Sequence, residues 1–383
     1  MTDRKIGIVV NGATGGICVE QHLRRSLIAI RQEGGHRIGE MTVMPELLLV
    51  GRNEEKLARV AREFGLDRWT TDLDLALSDD GYPVFFDAGF TGDRPRVLMK
   101  AIEQGRHLYS EKPVAPNTKT GLGILRAARE KGIKHGAVED KLFLPGLAKL
   151  KLARENGFLG RPIGFRLDFG WWVFTGTPVA GRRPSWNYRR RDGGGLILDM
   201  HPHWRYIVEG VLGPIRRVVA YGWTGFPERL DEQGEPYSVD VEDNAITLVE
   251  LESGAAGTIT SSWSNRVRRD DLLTFQVDGT EGSAVAGLHK CHIQSSIQTP
   301  HARWNVSEDI GRDYWSDWAP LPDLLPARNG YRAGWEAFLA HVVSDLPAAA
   351  GLDAGIRDVA LAEASYRSMA SGSWVSLADL LAE

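Results

Sequence analysis

Cysteine is scarce in this chain. Its 383 residues include two cysteines, Cys18 and Cys291. Two thiols cannot form a disulfide framework or a four-thiolate zinc site, and so low a content fits a reducing compartment. Long apolar runs are missing as well. No stretch of 18 apolar residues occurs, so we expect no membrane-spanning helix.

An excess of positive charge is also missing. The chain has 46 Lys and Arg against 50 Asp and Glu, a formal net charge of −4. A generic nucleic-acid binder needs net positive charge to neutralise phosphates, so this balance argues against one. The N-terminus shows no signal peptide, because the apolar stretch 6–10 is too short and no cleavage site follows. We therefore expect a cytoplasmic protein.

The rest of the composition is that of an ordinary globular protein. Apolar residues make up 43% and charged residues 25%, which is enough apolar surface to offset chain entropy over most of the length. At roughly 100–200 residues per domain, the length predicts two domains. No internal repeat or low-complexity tail is visible.

Residues 1–141 alternate short apolar runs with helical patterns. Strands are predicted at 6–10, 46–50, 84–88, 107–110 and 135–138. Strands that alternate with helices form parallel βαβ units, with helices on both faces of the sheet. We therefore predict an α/β domain with a doubly wound parallel sheet of the Rossmann type, which binds a dinucleotide.

The pattern changes over residues 142–383. Strands at 245–251 and 256–262 follow one another without a helix between them, and helical patterns return at 330–344 and 356–370. This order predicts an α+β domain with a largely antiparallel open sheet, which binds substrate. One face of such a sheet is covered by helices and the other needs a partner, so we expect a homodimer or homotetramer.

A glycine-rich turn lies between the first strand and the first helix. Glycines let the backbone approach a pyrophosphate, and the N-terminus of the helix offers N–H groups to the anion. Because this turn opens a βαβ series, it predicts dinucleotide binding. The residues expected at the cofactor are Gly12, Thr14, Gly15, Gly16 and Ile17.

The end of the second strand should lie beside the adenosine ribose of the cofactor. Residues 49–53 include Arg52 and no acid. An acid would bind the 2′-hydroxyl of NAD, whereas an arginine would meet the 2′-phosphate of NADP, so we favour NADP over NAD. Arg52 lies 40 residues after Gly12, twice the usual ~20, which indicates an insertion around 34–44. Alternatively, Arg52 is a surface residue and Asn53 caps the next helix.

Two further segments carry chemistry. Lys112, in Glu111-Lys112-Pro113, follows the fourth strand, and its backbone is extended because a proline comes next. Asp199 and His203 follow a run of three glycines and share one face if the segment is helical, where an acid and an imidazole can manage proton transfer. His201 lies off that face. Alternatively, Asp199 only caps the helix, His203 is a buried core histidine, and Lys112 is an exposed lysine at the end of a strand.

Together these segments resemble the Gfo/Idh/MocA oxidoreductase family, named after glucose–fructose oxidoreductase and inositol dehydrogenase. The resemblance covers nearly the whole chain and also includes the segments 241–244 and 279–282. It implies an NAD(P)-dependent enzyme that transfers hydride between a nicotinamide cofactor and a carbinol or ketone carbon of a sugar, polyol or sugar acid.

The resemblance also implies roles for individual residues. Lys112 would contact both the nicotinamide ribose and the substrate hydroxyl, with Glu111 beside it at the cofactor. His203 would be the general base, and Asp199 would orient the substrate. The Lys112–Pro113 bond is often cis in such proteins.

Several positions depart from the family pattern. Residues 88–93 stand where a Thr-Pro pair is usual, and 139–141 replace a segment usually built on Asn and Arg. His201 stands where glycine is common, and Arg205 where an acid often follows. Because these positions face the substrate in relatives, an unusual and even anionic substrate is expected. The predicted substrate contacts are Asp140, Lys141, Trp186 and His201.

Two other functions stay open at this point. A catalytically silent, cofactor-sensing protein could use the same fold, although the presence of Lys112, Asp199 and His203 argues against it. A metal-dependent lyase or isomerase could use Asp199, His201 and His203, but the sequence singles out no further strong ligand. Nucleic-acid binding by the arginines of the 175–191 loop lacks a recognisable module around it.

Overall fold

The structure is a computed structural model that describes residues 2–300, 314–323 and 328–382. The chain divides into two compact units. The first comprises residues 1–143, 328–363 and 378–383, and the second comprises 144–327 and 364–377. This division differs from the expected 1–141 and 142–383, because two C-terminal segments pack within the first unit.

Among the described residues, the first unit contains a seven-stranded sheet. Its strands are β1 Thr2–Asn11, β2 His36–Ile38, β3 Met41–Val50, β4 Trp69–Thr70, β5 Val84–Asp87, β6 His107–Ser110 and β7 His135–Ala137. The order is β2-β3-β1-β5-β6-β7, with β4 also paired to β3. All pairs are parallel except β2–β3. The doubly wound sheet is confirmed.

The insertion predicted around 34–44 is a β-hairpin. β2 runs antiparallel to the first residues of β3, with His36 opposite Val43. β3 is ten residues long and therefore begins five residues before the predicted Glu46. The hairpin accounts for the long spacing between the glycine turn and Arg52.

Helices cover both faces of this sheet. They are a π-helix Cys18–Ile28 that continues as α1 Ala29–Gln32, then α2 Glu54–Phe64, α3 Leu73–Ser78, α4 Arg94–Glu103 and α5 Thr118–Glu130. Leu23 and Leu57 belong to one apolar core, and Val97 and Ile124 belong to a second. Two separate cores are what a parallel sheet buried on both faces requires.

The second unit is built on a nine-stranded sheet within the described residues. After a 3₁₀-helix Asp140–Phe143 at the end of the first unit come α6 Pro145–Glu155, β8 Pro162–Gly170, 3₁₀-helices Ser185–Tyr188 and Arg190–Asp192, α7 Leu196–Leu212, β9 Ile215–Trp223, β10 Glu228–Leu230, β11 Pro236–Ser238, β12 Asn244–Leu251, β13 Ala256–Ser262, β14 Leu273–Gly279, β15 Gly282–Ala286, β16 Cys291–Ser295 and β17 Ala319–Pro320. β8 and β13 pair in parallel, whereas their other neighbours are antiparallel. The largely antiparallel sheet is confirmed.

The C-terminal segments complete both units. They are α8 Gly330–Ser344, α9 Leu352–Ser371, β18 Val375–Ser376 and α10 Leu377–Ala382. α8 has the bounds predicted from its pattern and buries Trp335 in the core of the first unit. β18 pairs with β9 at the edge of the second sheet. No helix in the described residues is long and apolar enough to cross a membrane.

Polar contacts fix α7 on its sheet. His201 Nε2 lies 2.9 Å from Thr247 Oγ1, and Trp204 Nε1 donates to Ser261 Oγ at 2.8 Å. Both pairs are buried, so each replaces hydrogen bonds that water makes in the unfolded chain. Complete burial lowers the pKa of His201 to about 3 from an ordinary value of 6.5. The second unit therefore contains an imidazole that stays neutral in the folded state.

This buried imidazole makes stability depend on pH. Between pH 6.5 and about 3 only the unfolded chain protonates this side chain, so stability is retained above 6.5 and lost as the pH falls. We expect His201 to account for a loss of about 2 kcal/mol in the free energy of unfolding from pH 7 to pH 5. Urea titrations of His201→Gln should show a loss smaller by about that amount.

A control separates titration from the hydrogen bond itself. Thr247→Val removes the hydroxyl partner and leaves the imidazole buried, so its stability should keep the wild-type pH dependence. An identical acid dependence in wild type and His201→Gln would contradict the prediction.

Candidate active site

The glycine turn after β1 has one position that demands glycine. Gly12 has φ +74°, and a Cβ there would lie 2.6 Å from the backbone of Ala88. The turn closes when Gly15 N donates to Gly12 O at 3.0 Å. Gly16 is exposed, and a Cβ there would have no atom within 4 Å apart from its chain neighbours and the backbone of its own helix. Gly12 is therefore a packing requirement, whereas Gly16 leaves room beside the backbone.

A cleft of about 810 Å³ lies at the carboxyl ends of β1, β3 and β5. This is the point where the strand order of the sheet reverses, which is where doubly wound folds bind ligands. Its lining includes the predicted residues Gly12, Thr14, Gly15 and Arg52. Ile17 is exposed on the same turn. The open turn and the size of the cleft fit a dinucleotide, with the pyrophosphate at the turn.

Basic side chains outnumber acidic ones in the lining of this cleft. Arg52, Lys56 and Arg96 all line it. Arg96 forms two 2.7 Å hydrogen bonds with Asp93, which hold the pKa of that carboxyl below its ordinary value, and the charge of Arg52 adds to the effect. Asn53 caps α2 by accepting from Lys56 N. The capping alternative thus holds for Asn53, while Arg52 faces the cleft.

A buried ion pair stabilises the loop that departs from the family pattern. Arg94 Nε donates to Asp87 Oδ2 at 2.7 Å, and both side chains are almost fully buried. Arg94 also donates to Gly89 O and Pro113 O, and Asn11 donates to the other oxygen of Asp87. This network was not predicted from the sequence. An aspartate at the end of an otherwise apolar strand was its one visible signal.

Glu111 is held by groups of the protein itself. His22 Nε2 lies 2.8 Å from its Oε1, and Lys112 N donates to its Oε2 at 2.9 Å. Burial by itself would raise the pKa of Glu111, but the His22 hydrogen bond and the charges of Lys112 and Arg94 lower it overall. The carboxylate therefore supports the backbone of Lys112, and the cofactor contact predicted for Glu111 stays a prediction.

Lys112 itself lies half-buried after β6. The Lys112–Pro113 peptide bond is cis, as the resemblance implies. The role of His22, which binds the Glu111 carboxylate next to this lysine, was not predicted from the sequence. The signal was a histidine on the buried face of the first helix, in line with Cys18 and Ser26.

The predicted pair Asp140 and Lys141 begins the 3₁₀-helix of the first unit. Lys141 Nζ lies 3.3 Å from both carboxylate oxygens of Asp140. Asp140 is almost buried and Lys141 is half-buried. The two residues thus form an ion pair that could present a charged group to a ligand.

The glycine run before α7 has a structural cause. Gly195 has φ +126°, and a Cβ there would lie 2.7 Å from Tyr366 Oη. That close approach lets the Glu242 carboxylate accept from Ile197 N at 2.8 Å and from the Tyr366 hydroxyl at 2.9 Å. Burial raises the pKa of Glu242. The segment 241–244, one of the points of resemblance, therefore fixes the start of α7.

Asp199 lies in the first turn of α7 and contacts the long loop before it. Arg183 donates to the Asp199 carboxylate and, at 2.9 Å, to Asn187 Oδ1. The guanidinium of Arg183 also stacks on the Trp263 ring, 4.2 Å from its centroid. An acid and an arginine held together in this way can bind a polyhydroxylated ligand through several hydrogen bonds. Trp186, on the same loop, is 49% exposed.

His203 lies one helical turn after Asp199, as predicted. Its Nδ1 is 2.6 Å from Tyr206 Oη, and the ring is almost buried. If Nδ1 carries the proton it donates to Tyr206, and Nε2 is then the basic nitrogen. The tyrosine three residues later therefore fixes the orientation of the imidazole.

His201 does not join that face of α7. Its ring is fully buried against Thr247 of β12, so the structure does not support the substrate contact predicted for it. In the described part of the chain, no three His, Cys, Asp or Glu side chains cluster as metal ligands. The set Asp199, His201 and His203 is thus not assembled as the lyase alternative requires.

Comparison with known proteins places these features in a family. Residues 147–285 match the GFO/IDH/MocA C-terminal domain. The chain is 40% identical over 368 residues to a D-xylose dehydrogenase of Paenarthrobacter nicotinovorans, and the aligned region covers 95% of each chain. It is 27% identical over 249 residues to a levoglucosan dehydrogenase of Pseudarthrobacter phenanthrenivorans, covering 61% of this chain and 62% of the relative.

The fold matches as well. A solved levoglucosan dehydrogenase in complex with NADH and levoglucosan superposes with a TM-score of 0.81 at 20% identity, covering 98% of this chain and 100% of that one. The 40% identity to the D-xylose dehydrogenase extends over 95% of both chains, so the similarity is one of sequence and not of fold alone. The chain therefore belongs to the Gfo/Idh/MocA family and is an oxidoreductase, as its motifs predicted.

Proposed function

We propose that the protein is an NAD(P)-dependent dehydrogenase of pyranose sugars, with D-xylose or a closely similar aldose as its substrate. The observation that carries this proposal is the 40% identity with a D-xylose dehydrogenase along 95% of both chains. The first unit would bind the dinucleotide and the second the sugar. The chemistry that a bound nicotinamide would supply is acceptance of the hydride from the carbinol C–H bond.

The first unit has the groups needed to hold the dinucleotide. The turn of Gly12, Thr14 and Gly15 lines the cleft, and the exposed backbone at Gly16 and Ile17 leaves space for the pyrophosphate. Backbone N–H groups at the start of the following helix suit an anion. These residues would bind the cofactor without contributing to the proton transfer.

Proton transfer is assigned to Lys112 and His203. Oxidation of a carbinol releases a hydride from carbon and a proton from oxygen, which leaves a carbonyl. At neutral pH an imidazole is the natural acceptor for that proton, and an ammonium group is the natural hydrogen-bond donor to the oxygen. His203 is therefore proposed as the base and Lys112 as the donor that stabilises the oxygen.

Recognition of the sugar is assigned to Asp199 with its arginine. A carboxylate accepts hydrogen bonds from sugar hydroxyls, and a guanidinium donates to their oxygens. The hydrogen bond from Arg183 holds both groups in one place. We include Trp186, Asp140 and Lys141 as further substrate contacts, because an exposed indole and an ion pair suit a polar ring.

The proposal is tested by a substrate panel followed by two variants. We expect D-xylose to give the fastest formation of reduced cofactor in a panel of pentoses, hexoses, inositols and sugar acids. His203→Ala and Lys112→Ala should each lower turnover by about 10²–10⁴-fold, the usual cost of losing a positioned acid or base. Cofactor binding should be nearly unchanged in His203→Ala and partly reduced in Lys112→Ala.

His201→Gln is the matched control for the histidine variant, because it changes a buried histidine of the same helix that lies off the Asp199–His203 face. It should retain most of the turnover. If no sugar in the panel gives reduced cofactor, the proposed function is wrong. Full activity in His203→Ala with loss in His201→Gln would reverse the assignment of the base.

We propose that NADP is preferred over NAD. Arg52 and Lys56 line the β3 end of the cleft, and residues 49–53 include no carboxylate to repel a 2′-phosphate. The levoglucosan dehydrogenase similar in fold was solved with NADH. Arg52 is therefore the position at which this chain would select its cofactor.

Removing that arginine should affect one cofactor more than the other. In fluorescence titrations, Arg52→Ala should weaken NADPH binding by about tenfold or more and NADH binding only slightly, because a charge-assisted hydrogen bond is worth roughly 1.5–3 kcal/mol. Arg59→Ala, which changes an exposed arginine of the helix α2 that follows Arg52, serves as the control. Equal losses for both cofactors, or tighter NADH binding by wild type, would refute the preference.

We also propose a homodimer or homotetramer formed through the outer face of the second sheet. On this face Tyr221 lies directly opposite Ile246 and is 68% exposed, and Leu248 and Trp223 are exposed beside them. Tyr221 and Trp223 stack at 5.9 Å. Adjoining exposed apolar side chains mark an interaction surface, and a second copy of the same face is a self-complementary partner.

A charge on this face should dissociate the oligomer. Light scattering at micromolar concentration should show a dimer or tetramer for wild type and a monomer for Leu248→Glu. Leu75→Glu places the same charge on an exposed leucine of the first unit and should leave the mass unchanged. A monomeric wild type would contradict the proposed assembly.

A further inference from the structure

A chain of buried hydrogen bonds in the first unit ends at the backbone of the proposed catalytic lysine. Trp335 Nε1 donates to His22 Nδ1 at 3.0 Å, His22 Nε2 contacts Glu111 Oε1 at 2.8 Å, and Glu111 Oε2 accepts from Lys112 N at 2.9 Å. We propose that His22 and Trp335 are positioning residues that set the orientation of Lys112 through Glu111. This inference rests on the role proposed for Lys112.

The direction of each hydrogen bond follows from the chemistry of its partners. An indole nitrogen can only donate, so His22 Nδ1 must be the unprotonated, accepting nitrogen. The imidazole proton is then on Nε2, which donates to the Glu111 carboxylate. Trp335 thereby selects the one tautomer of His22 that can hold Glu111 in place.

Burial makes this arrangement rigid. His22 and Trp335 are fully buried and Glu111 is 8% exposed, so water cannot replace a lost partner easily. As a carboxylate, Glu111 accepts on both oxygens, one from the imidazole and one from the lysine peptide. Its position is therefore fixed from two sides. A displacement of the carboxylate would turn the peptide that carries the Lys112 side chain.

Packing is the competing explanation for the same residues. The His22 ring lies 4.4 Å from Phe86, and Trp335 lies 4.9 Å from Phe86 and 4.8 Å from Tyr109. Both residues would therefore contribute to stability even if they had no effect on Lys112. A test must separate lost packing from lost orientation, so it needs variants that change the hydrogen bonds of this chain and a control that changes packing alone.

Three variants do this. His22→Met removes both nitrogens, and we expect kcat to fall about 10²-fold, the scale of a 1 Å misplacement of a reacting group. The KM for the sugar and the Kd for the cofactor should stay within about threefold of wild type. His22→Gln returns an N–H near the position of Nε2 and should recover most of kcat. Trp335→Phe frees His22 to adopt the other tautomer and should give an intermediate kcat.

Phe338→Leu is the control for packing. Phe338 stacks on Tyr109 at 4.5 Å in the same aromatic cluster but has no polar atom. It should lower the melting temperature as much as Trp335→Phe does and keep the wild-type kcat per folded molecule. Wild-type kcat in His22→Met, or a fall in kcat that follows the melting temperature in all four variants, would overturn the proposal.

Two further results keep the proposal separate from the function on which it rests. If Lys112→Ala keeps full turnover, the proposed role of Lys112 fails and the positioning proposal fails with it. If Lys112→Ala is inactive while His22→Met is fully active, the positioning proposal alone fails.

In the wild-type protein, ¹H–¹⁵N correlation of the histidine rings should show His22 protonated on Nε2 at neutral pH. Protonation on Nδ1 would overturn the proposal without any variant.

Discussion

The first unit depends on one buried carboxylate, that of Asp87 at the end of β5. Asn11 reaches it from β1, and Arg94 reaches it from α4 while also holding the carbonyl oxygen of Pro113 after β6. Three strand ends are thereby joined at the edge where the cleft opens. Breaking such a buried pair costs roughly 3–5 kcal/mol, because the charge that remains is neither paired nor solvated. The position of the motif lysine therefore depends on a loop of unusual sequence.

In the second unit, the position of α7 depends on the backbone at one glycine, Gly195. The start of α7 can approach Glu242 and Tyr366 only because Gly195 has no side chain. The same carboxylate then satisfies an N–H that the first helical turn leaves without a partner. Asp199 and His203 follow at fixed positions along the helix. Their geometry is thus set by Gly195 and by Glu242, which lies in the loop before β12.

The sequence predicted local features well and distant ones poorly. α8 was predicted from its periodicity to the residue, and the glycine turn and the strand before Glu111 were located because each signal lies within a few neighbouring residues. The packing of 328–363 against the first unit was not predicted, since an apolar helix face does not say which core it joins. For the same reason the partner of His22 could not be found. The position of His201 off the Asp199–His203 face was predicted from the helix period, but its burial against Thr247 was not, because it was predicted as a substrate contact.

The contact between Trp335 and His22 joins positions 313 residues apart in the chain. A growing polypeptide that has left the ribosome only as far as residue 143 has all seven strands of the first sheet but lacks α8, which fills one of its two cores. That core must therefore stay incomplete while residues 144–327, the larger part of the second unit, are synthesised. Closing so long a loop is slow relative to local helix and hairpin formation. The first unit consequently cannot finish folding until its C-terminal segments are made, although all the strands of its sheet precede the second unit in the chain.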